Sequence, residues 1–267
     1  SKIDPCMFYI DEPDLQMMMI CHVDDYIIGC SDNKWFENFL KTYNSHFTMN
    51  YLGKPEQFLG MRINWDDKKE TMEFTQQKRI NEMLDNYNMN DMKKMYKTPM
   101  ESKFKADKGD PENLPNVPYR KLLGELYWIS RTSRPDISVA VNILSRYQNC
   151  YTDETWKALR RVLGYLKYTA HYNLIYKKST TDDPSDTARI KGSEMKIYCD
   201  STWADDEWDG RSTTGIGIFH CGNLINWVCE KQKTGALSSS EAEYMALCNA
   251  GQDAVYFYQL FQELHVR

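Results

Sequence analysis

MKIYCDSTWADDEWDGRSTTGIGIFHCGNLINWVCEKQKTGALSSSEAEYMALCNA, residues 195–250, is the stretch on which the reading of the chain turns. Met195 to Cys199 reads as a short strand, with Asp200 standing where it ends. Thr213–Cys221 and Asn223–Glu230 are runs rich in β-branched and aromatic residues, parted at Gly222, which is a hairpin signal. Ser238–Ser240 then precedes Glu241, Glu243 and a long apolar-periodic run, the pattern of a helix start with an acidic first turn. Asp200 and Glu243 are thereby placed to converge. Two carboxylates aimed into one cleft repel each other unless a hard cation lies between them, and such a pair suits magnesium. On spacing alone the ordinary alternative stays open: a solvated strand-end Asp and a helix-capping Glu.

Upstream, MMMICHVDDYIIG at 17–29 reads as a β-hairpin with Asp24 and Asp25 at its tip. Adjacent Asp residues are common in turns. If Met18, Ile20, Val23, Ile27 and Ile28 hold the pair against a core, however, unpaired charge there is costly without a cation. Asp32 to Phe47 follows as a helix, with Trp35, Phe36, Phe39, Leu40 and Tyr43 on one face and a cap at Ser31/Asp32. QFLGMRINW at 57–65 alternates as a strand around Gly60, which signals a bulge or a close backbone approach. Thr71–Thr75 reads as the returning strand, and Gln76–Tyr87 as a helix with Ile80, Met83, Leu84 and Tyr87 inward.

Residues 100–118 are rich in Lys, Asp, Gly and Pro and read as an extended linker. From Tyr119 to Tyr172 the pattern is helical. Leu122, Leu123, Leu126, Tyr127 and Ile129 share a face, Arg134-Pro135-Asp136 breaks the helix, and Ile137–Tyr147 starts the next. In a third helix Trp156, Leu159, Leu163 and Leu166 fall on one side, while Lys157, Arg160, Arg161 and Lys167 spread over the rest. A polar linker over 179–194 precedes the opening stretch. The closing helix, Glu241–Leu264, carries Met245, Cys248, Gln252, Val255, Tyr258 and Leu260 or Phe261 in rough periodicity.

The net charge of -5 hides an uneven distribution. Residues 194–267 carry 11 acidic against 5 basic side chains, and residues 120–178 carry 11 basic against 4 acidic. The basic middle is therefore the place for phosphate contacts. Eight cysteines without a CxxC pair favour reduced thiols inside a cell. No apolar run approaches a membrane span. The acidic loop of Asp205, Asp206, Glu207 and Asp209 reads as solvated, and it lacks the Gly and closing Glu of a calcium loop.

DSTWA, GRSTTG and SSSEAEYMAL resemble the ribonuclease H domain of copia-type long-terminal-repeat retrotransposon Pol polyproteins, and CHVDDYIIG resembles the YVDD hairpin of reverse-transcriptase palms. FLG at 58–60 and RTSRPDISVAVNILSRY at 131–147 resemble further segments of that family, in the family's order. The resemblance implies catalytic, metal-holding roles for Asp24, Asp25, Asp200 and Glu243. It implies a primer-terminus role for Gly60 and contact of Lys157, Arg160, Arg161 and Lys167 with an RNA–DNA duplex. It also implies Mg2+ or Mn2+ as cofactor, a hybrid or template–primer and the rest of Pol as partners, and an intracellular place in a cytoplasmic virus-like particle or the nucleus.

The fold it implies is α+β. A palm hairpin with thumb occupies 1–99, a linker 100–118, a helical connection 119–178, a second linker 179–194, and an incomplete ribonuclease H-like part 195–267 of three antiparallel strands and a helix. His22 stands where the family has Tyr, Thr202 where it has Asp, and Asp205 where it has Gly. Each family centre requires carboxylates beyond those found, so the chain alone is expected to be inactive or weakly active. The other reading is a decayed or domesticated remnant that only binds nucleic acid.

Overall fold

The computed structural model describes residues 1–178 and 195–264. The predicted linker over 179–194 lies outside them. Among the described residues the chain forms three antiparallel sheets and six α-helices, grouped into two compact units. No helix there is long and apolar enough to cross a membrane.

The first unit comprises residues 1–55 and the chain from Cys248 onward. Strands β1 (Met7–Glu12), β2 (Leu15–His22) and β3 (Asp25–Cys30) form a sheet in that order. Helix α1 (Asn33–His46) starts at Asp32, whose carboxylate accepts the N–H groups of Lys34 and Trp35 at 2.7 and 3.0 Å. Its apolar face is a ladder of rings, Trp35 on Phe39 and Phe39 on Tyr43, at centroid distances of 5.5 and 5.7 Å. No α1 residue is buried, and within residues 1–55 only Met17 is. The β2–β3 hairpin is as predicted, but its tip is not held against a core: Ile20 is exposed and Val23 is 78 % exposed. The burial argument for a cation between Asp24 and Asp25 therefore falls away, since both carboxylates face solvent.

The second unit holds residues 56–178 and 195–247. QFLGMRINW is not one strand but two, β4 (Gln57–Phe58) and β5 (Met61–Asp66). Leu59 and Gly60, at φ of 50° and 76°, make the tight turn between them. Two successive positive φ values match the twist of a two-residue hairpin loop, which is why the Gly is there. Strand β6 (Thr71–Thr75) returns as predicted. A fourth strand, β7 (Leu174–Lys177), pairs with β6 across a hundred residues of chain. That strand was not foreseen, because four residues carry too little periodicity.

Helices α2 (Gln77–Asn86), α3 (Tyr119–Thr132), α4 (Ser138–Ser145) and α5 (Asp153–Tyr168) build the main core. Ile80, Met83, Leu84, Leu122, Leu126, Ile129, Leu159, Leu163 and Leu166 are all but sealed from solvent. Tyr127, expected on the apolar face of α3, is 55 % exposed instead. Helix α5 opens on a capping box between Thr152 and Thr155, with Asp153 and Glu154 in the first turn where the helix dipole favours them. The break between α3 and α4 is a single 3-10 turn, Pro135–Ile137, clamped by buried Arg134. Its guanidinium donates to both oxygens of Asp136 at 2.9 and 2.7 Å and to the Thr169 carbonyl at 2.8 Å.

Residues 100–118 form no helix or strand, yet they do not hang free. Phe104, Ala106 and Val117 pack on the helical core, and the Gly109 N–H donates to the Cys150 carbonyl at 2.7 Å.

The last sheet has the order β10-β9-β8, from β8 (Met195–Thr202), β9 (Thr213–His220) and β10 (Asn223–Lys231). It docks on the helices through β10. The Trp227 indole N–H donates to the Ser130 carbonyl at 2.7 Å, and the Asn142 amide to the Cys229 carbonyl at 3.2 Å. Helix α6 (Ser239–Glu263) follows. Its buried residues are Ala242, Ala246, Ala250 and Leu260, whereas Cys248, Val255 and Tyr258 of the predicted stripe are exposed. Small residues four apart form the inward line, and a scan for bulky apolar side chains overlooks them.

Candidate functional site

Strand β8 runs two residues past Asp200, whose register partner on β9 is Gly215. Asp200 is thus seated within a paired strand, with no side chain opposite it. Glu243 lies in the first turns of α6. The two meet at one backbone group: the Ser201 N–H donates to Asp200 Oδ1 at 2.9 Å and lies 3.3 Å from Glu243 Oε1. Both carboxylates are exposed. The predicted convergence is therefore present, and a shared donor keeps the pair aligned without neutralising either charge.

As a cation seat the pair offers hard oxygen donors, open to solvent and close together. Mg2+ commonly takes one or two carboxylates and completes its shell with water and phosphate, so the donor set fits. Among the described residues no three His, Cys, Asp or Glu side chains come together as a metal-holding group.

Of the acidic loop beside Asp200, Glu207 and Asp209 are exposed as expected, whereas Asp205 is half-buried and Asp206 is buried. Asp206 is 2 % exposed and is gripped by Lys231, which also reaches Asp209 at 2.7 Å. Arg146, the C-cap of α4, binds Asp205 at 2.8 Å and Thr213 Oγ1 at 2.6 Å, and Lys105 pairs with Glu207. Burial pushes the Asp206 carboxyl up, but Lys231 and the Trp208 N–H outweigh it and hold the group below the ordinary carboxylate range. Arg211 does the same for Asp209, with help from Lys231. The four acids of the loop are each paired with a cation, and among the described residues they form no metal-holding group. Nothing in the local sequence showed this, because Arg146, Lys105 and Lys231 come from distant segments.

A cleft of about 680 Å³ opens between this loop, α4 and the 100–105 segment, with Asp200 on its rim. Burial pushes the Cys229 thiol on its wall up to about 11.

In the other unit, Asp24 and Asp25 sit where the β2–β3 hairpin turns. His22 pairs with Asp25, leaving Val23 and Asp24 as the two-residue loop. Val23 takes φ of 56°, a conformation that strains a β-branched residue by roughly 1–3 kcal/mol.

The remaining predicted residues divide. Gly60 serves its own turn, and a side chain added there would meet nothing within 4 Å. Arg161 is paired with Glu101 and bonded to Thr98 Oγ1 at 3.1 Å. Lys167 donates to the carbonyls of Asn90 and Met92, the latter at 2.9 Å. Both cations hold the chain between α2 and the cleft segment onto α5. Lys157 is exposed and Arg160 half-buried.

Residues 3–102 match the family model for reverse transcriptase, RNA-dependent DNA polymerase. The chain is 29 % identical to the retrovirus-related Pol polyprotein from transposon TNT 1-94 of Nicotiana tabacum, over 98 % of this chain and 19 % of that one. It is 29 % identical to the corresponding polyprotein from transposon RE2 of Arabidopsis thaliana, over all of this chain and 17 % of that one. An uncharacterized mitochondrial protein of Arabidopsis thaliana is 32 % identical over 86 % of this chain and 90 % of its own length. The chain thus spans less than a fifth of the Pol polyproteins it resembles. No solved structure matches it.

Proposed function

Because the chain belongs to the copia-type Pol polyprotein family of retrotransposons, we propose that it supplies parts of two phosphoryl-transfer centres of such a polyprotein. One is a reverse-transcriptase palm tip carrying Asp24 and Asp25. The other is a ribonuclease H-like part made of β8–β10 and α6, carrying Asp200 and Glu243. The substrates are a template–primer at the first and an RNA–DNA hybrid at the second, with Lys157 and Arg160 as contacts to backbone phosphates.

The observation that carries the second centre is the Ser201 N–H shared by Asp200 and Glu243. Ordered by that donor, the two carboxylates hold their oxygens ready on one side of β8, and Gly215 opposite leaves that side of the strand clear. A divalent ion bound there supplies Lewis-acid stabilisation of a phosphodiester. The family resemblance adds the identity of the substrate; the geometry alone would serve any phosphodiester.

Two carboxylates at each centre are fewer than two-metal chemistry uses, so the 267-residue chain is expected to turn over weakly or not at all without carboxylates from the rest of Pol. Primer-extension and hybrid-cleavage assays in Mg2+ or Mn2+ test this. Background-level products are expected. Robust cleavage that Asp200→Ala abolishes, or robust extension that Asp24→Asn abolishes, would show the centres to be complete.

A further inference from the structure

We propose that the cleft beside Asp200 binds one unpaired nucleotide of a single strand, with its base stacked on Trp203 and its phosphate held by Lys103. The inference rests on the nucleic-acid reading above and adds to it a site whose lining includes Asp200 but not Glu243.

The cleft's volume, about 680 Å³, lies within the range of about 300–1,000 Å³ usual for ligand pockets. Its charges are largely spoken for. Glu101 is paired with Arg161, Asp205 with Arg146, Asp206 with Lys231 and Glu207 with Lys105. What remains along the lining is one carboxylate without a cation, Asp200, and one cation without a carboxylate among the described residues, Lys103.

Lys103 is one of seven described non-glycine residues at positive φ. It stands at φ of 55° in the turn closed by the Phe104 N–H on the Glu101 carbonyl, and Phe104 anchors that turn in the helical core. A non-glycine residue kept in the left-handed region needs surroundings that enforce it, and such residues gather at binding sites. That turn belongs to the lining of the cleft.

Of the two indoles in the lining, Trp208 is already covered, with Tyr147 edge-on at 4.7 Å and the Lys108 ammonium 4.0 Å over its ring. Trp203 is 51 % exposed, and its orientation is fixed by donation from Nε1 to the Ala236 carbonyl at 3.1 Å. A half-exposed, immobilised indole and a cation without a carboxylate among the described residues, both on the lining of one cleft, are the two kinds of group by which single strands are bound without sequence preference, by stacking and phosphate contact. A duplex offers no unstacked base face, so the ligand class is single-stranded.

The test is fluorescence anisotropy of 5′-labelled hexauridylate and hexathymidylate titrated with the full chain from 50 to 200 mM KCl. Trp203→Ala should weaken binding roughly 5- to 150-fold, the effect of losing one stacked base, and Trp203→Phe should restore most of it. Lys103→Ala should weaken binding and lower the salt slope by about 0.7, whereas Lys103→Arg should keep both. Tighter binding of the ribo-oligomer would assign the site to the RNA strand, and equal binding to either strand. Circular dichroism on each variant separates lost binding from lost folding. Wild-type affinities and slopes in Trp203→Ala and Lys103→Ala, or no saturable binding by the wild type, would overturn the proposal. Divalent-ion titration of Glu243→Gln reports on the carboxylate pair, so the cleft and the metal centre can fail separately.

Discussion

Asp200 and Glu243 are 43 positions apart in the chain and meet at a single amide hydrogen. The residue types and their places at a strand and a helix start were readable beforehand, since a β-strand followed by an acidic helix start leaves a local signature. The Ser201 N–H that aligns them was not, because a backbone donor has no sequence signature. The same blindness explains the acidic loop. Asp205 and Asp206 look solvated until folding brings in Arg146 and Lys231. Asp206 and Asp209 have carboxyls held below their ordinary range, so they contribute stability above about pH 4 that is lost as the pH falls through their lowered values. Removing Lys231 leaves a buried carboxylate short of its main partner. Lys231→Ala is therefore expected to cost about 3 kcal/mol at pH 7 and to move the acid-unfolding midpoint upward. Urea titrations followed by tryptophan fluorescence between pH 3 and 7 measure both; an unchanged acid midpoint would contradict this reading of the loop.

Helices α2, α3 and α5 were legible because their apolar residues recur every three or four positions, and most of those residues, though not Tyr127, are buried. Strand β7 and the split of 57–65 into β4 and β5 were not. One is too short to show a period, and the other turns on a Leu59 that takes a positive φ where Gly or Asn would be usual. Helix α6 misled in a third way, since its inward line is alanine rather than the bulky residues that draw the eye. The core the helices build is close-packed, so Leu163→Ala, at a site with no exposure, is expected to destabilise by about 3 kcal/mol through lost burial and a residual cavity. Denaturant unfolding with unchanged m-value measures it, and a cost under about 1 kcal/mol would mean that the α5 interface collapses around the gap.

The 267 residues divide their burial unevenly between the two compact units. Residues 1–55 contain one buried side chain, whereas the α2–α5 bundle contains nearly all of the large sealed ones. Few buried contacts mean low local stability. Amide hydrogens of β1–β3 should therefore exchange well before those of α3 and α5, and equal protection by hydrogen-exchange mass spectrometry would contradict that. Resemblance to a copia-type Pol was carried by motifs spread along the chain, at 21–29, 58–60, 131–147 and between 200 and 247, and the matches over its whole length agree with it. The division of burial was invisible in those motifs, because they report residues kept at two centres and not how the chain between them packs. Folding brings Asp200 and Glu243 to one backbone donor, and we propose that the pair seats a divalent ion there. An Mn2+ titration by electron paramagnetic resonance in an Asp24→Asn, Asp25→Asn background isolates the pair. One saturable ion is expected, weakened at least about ten-fold, or 1.4 kcal/mol, by either Asp200→Asn or Glu243→Gln. Binding indifferent to both substitutions, or no saturable binding, would contradict it.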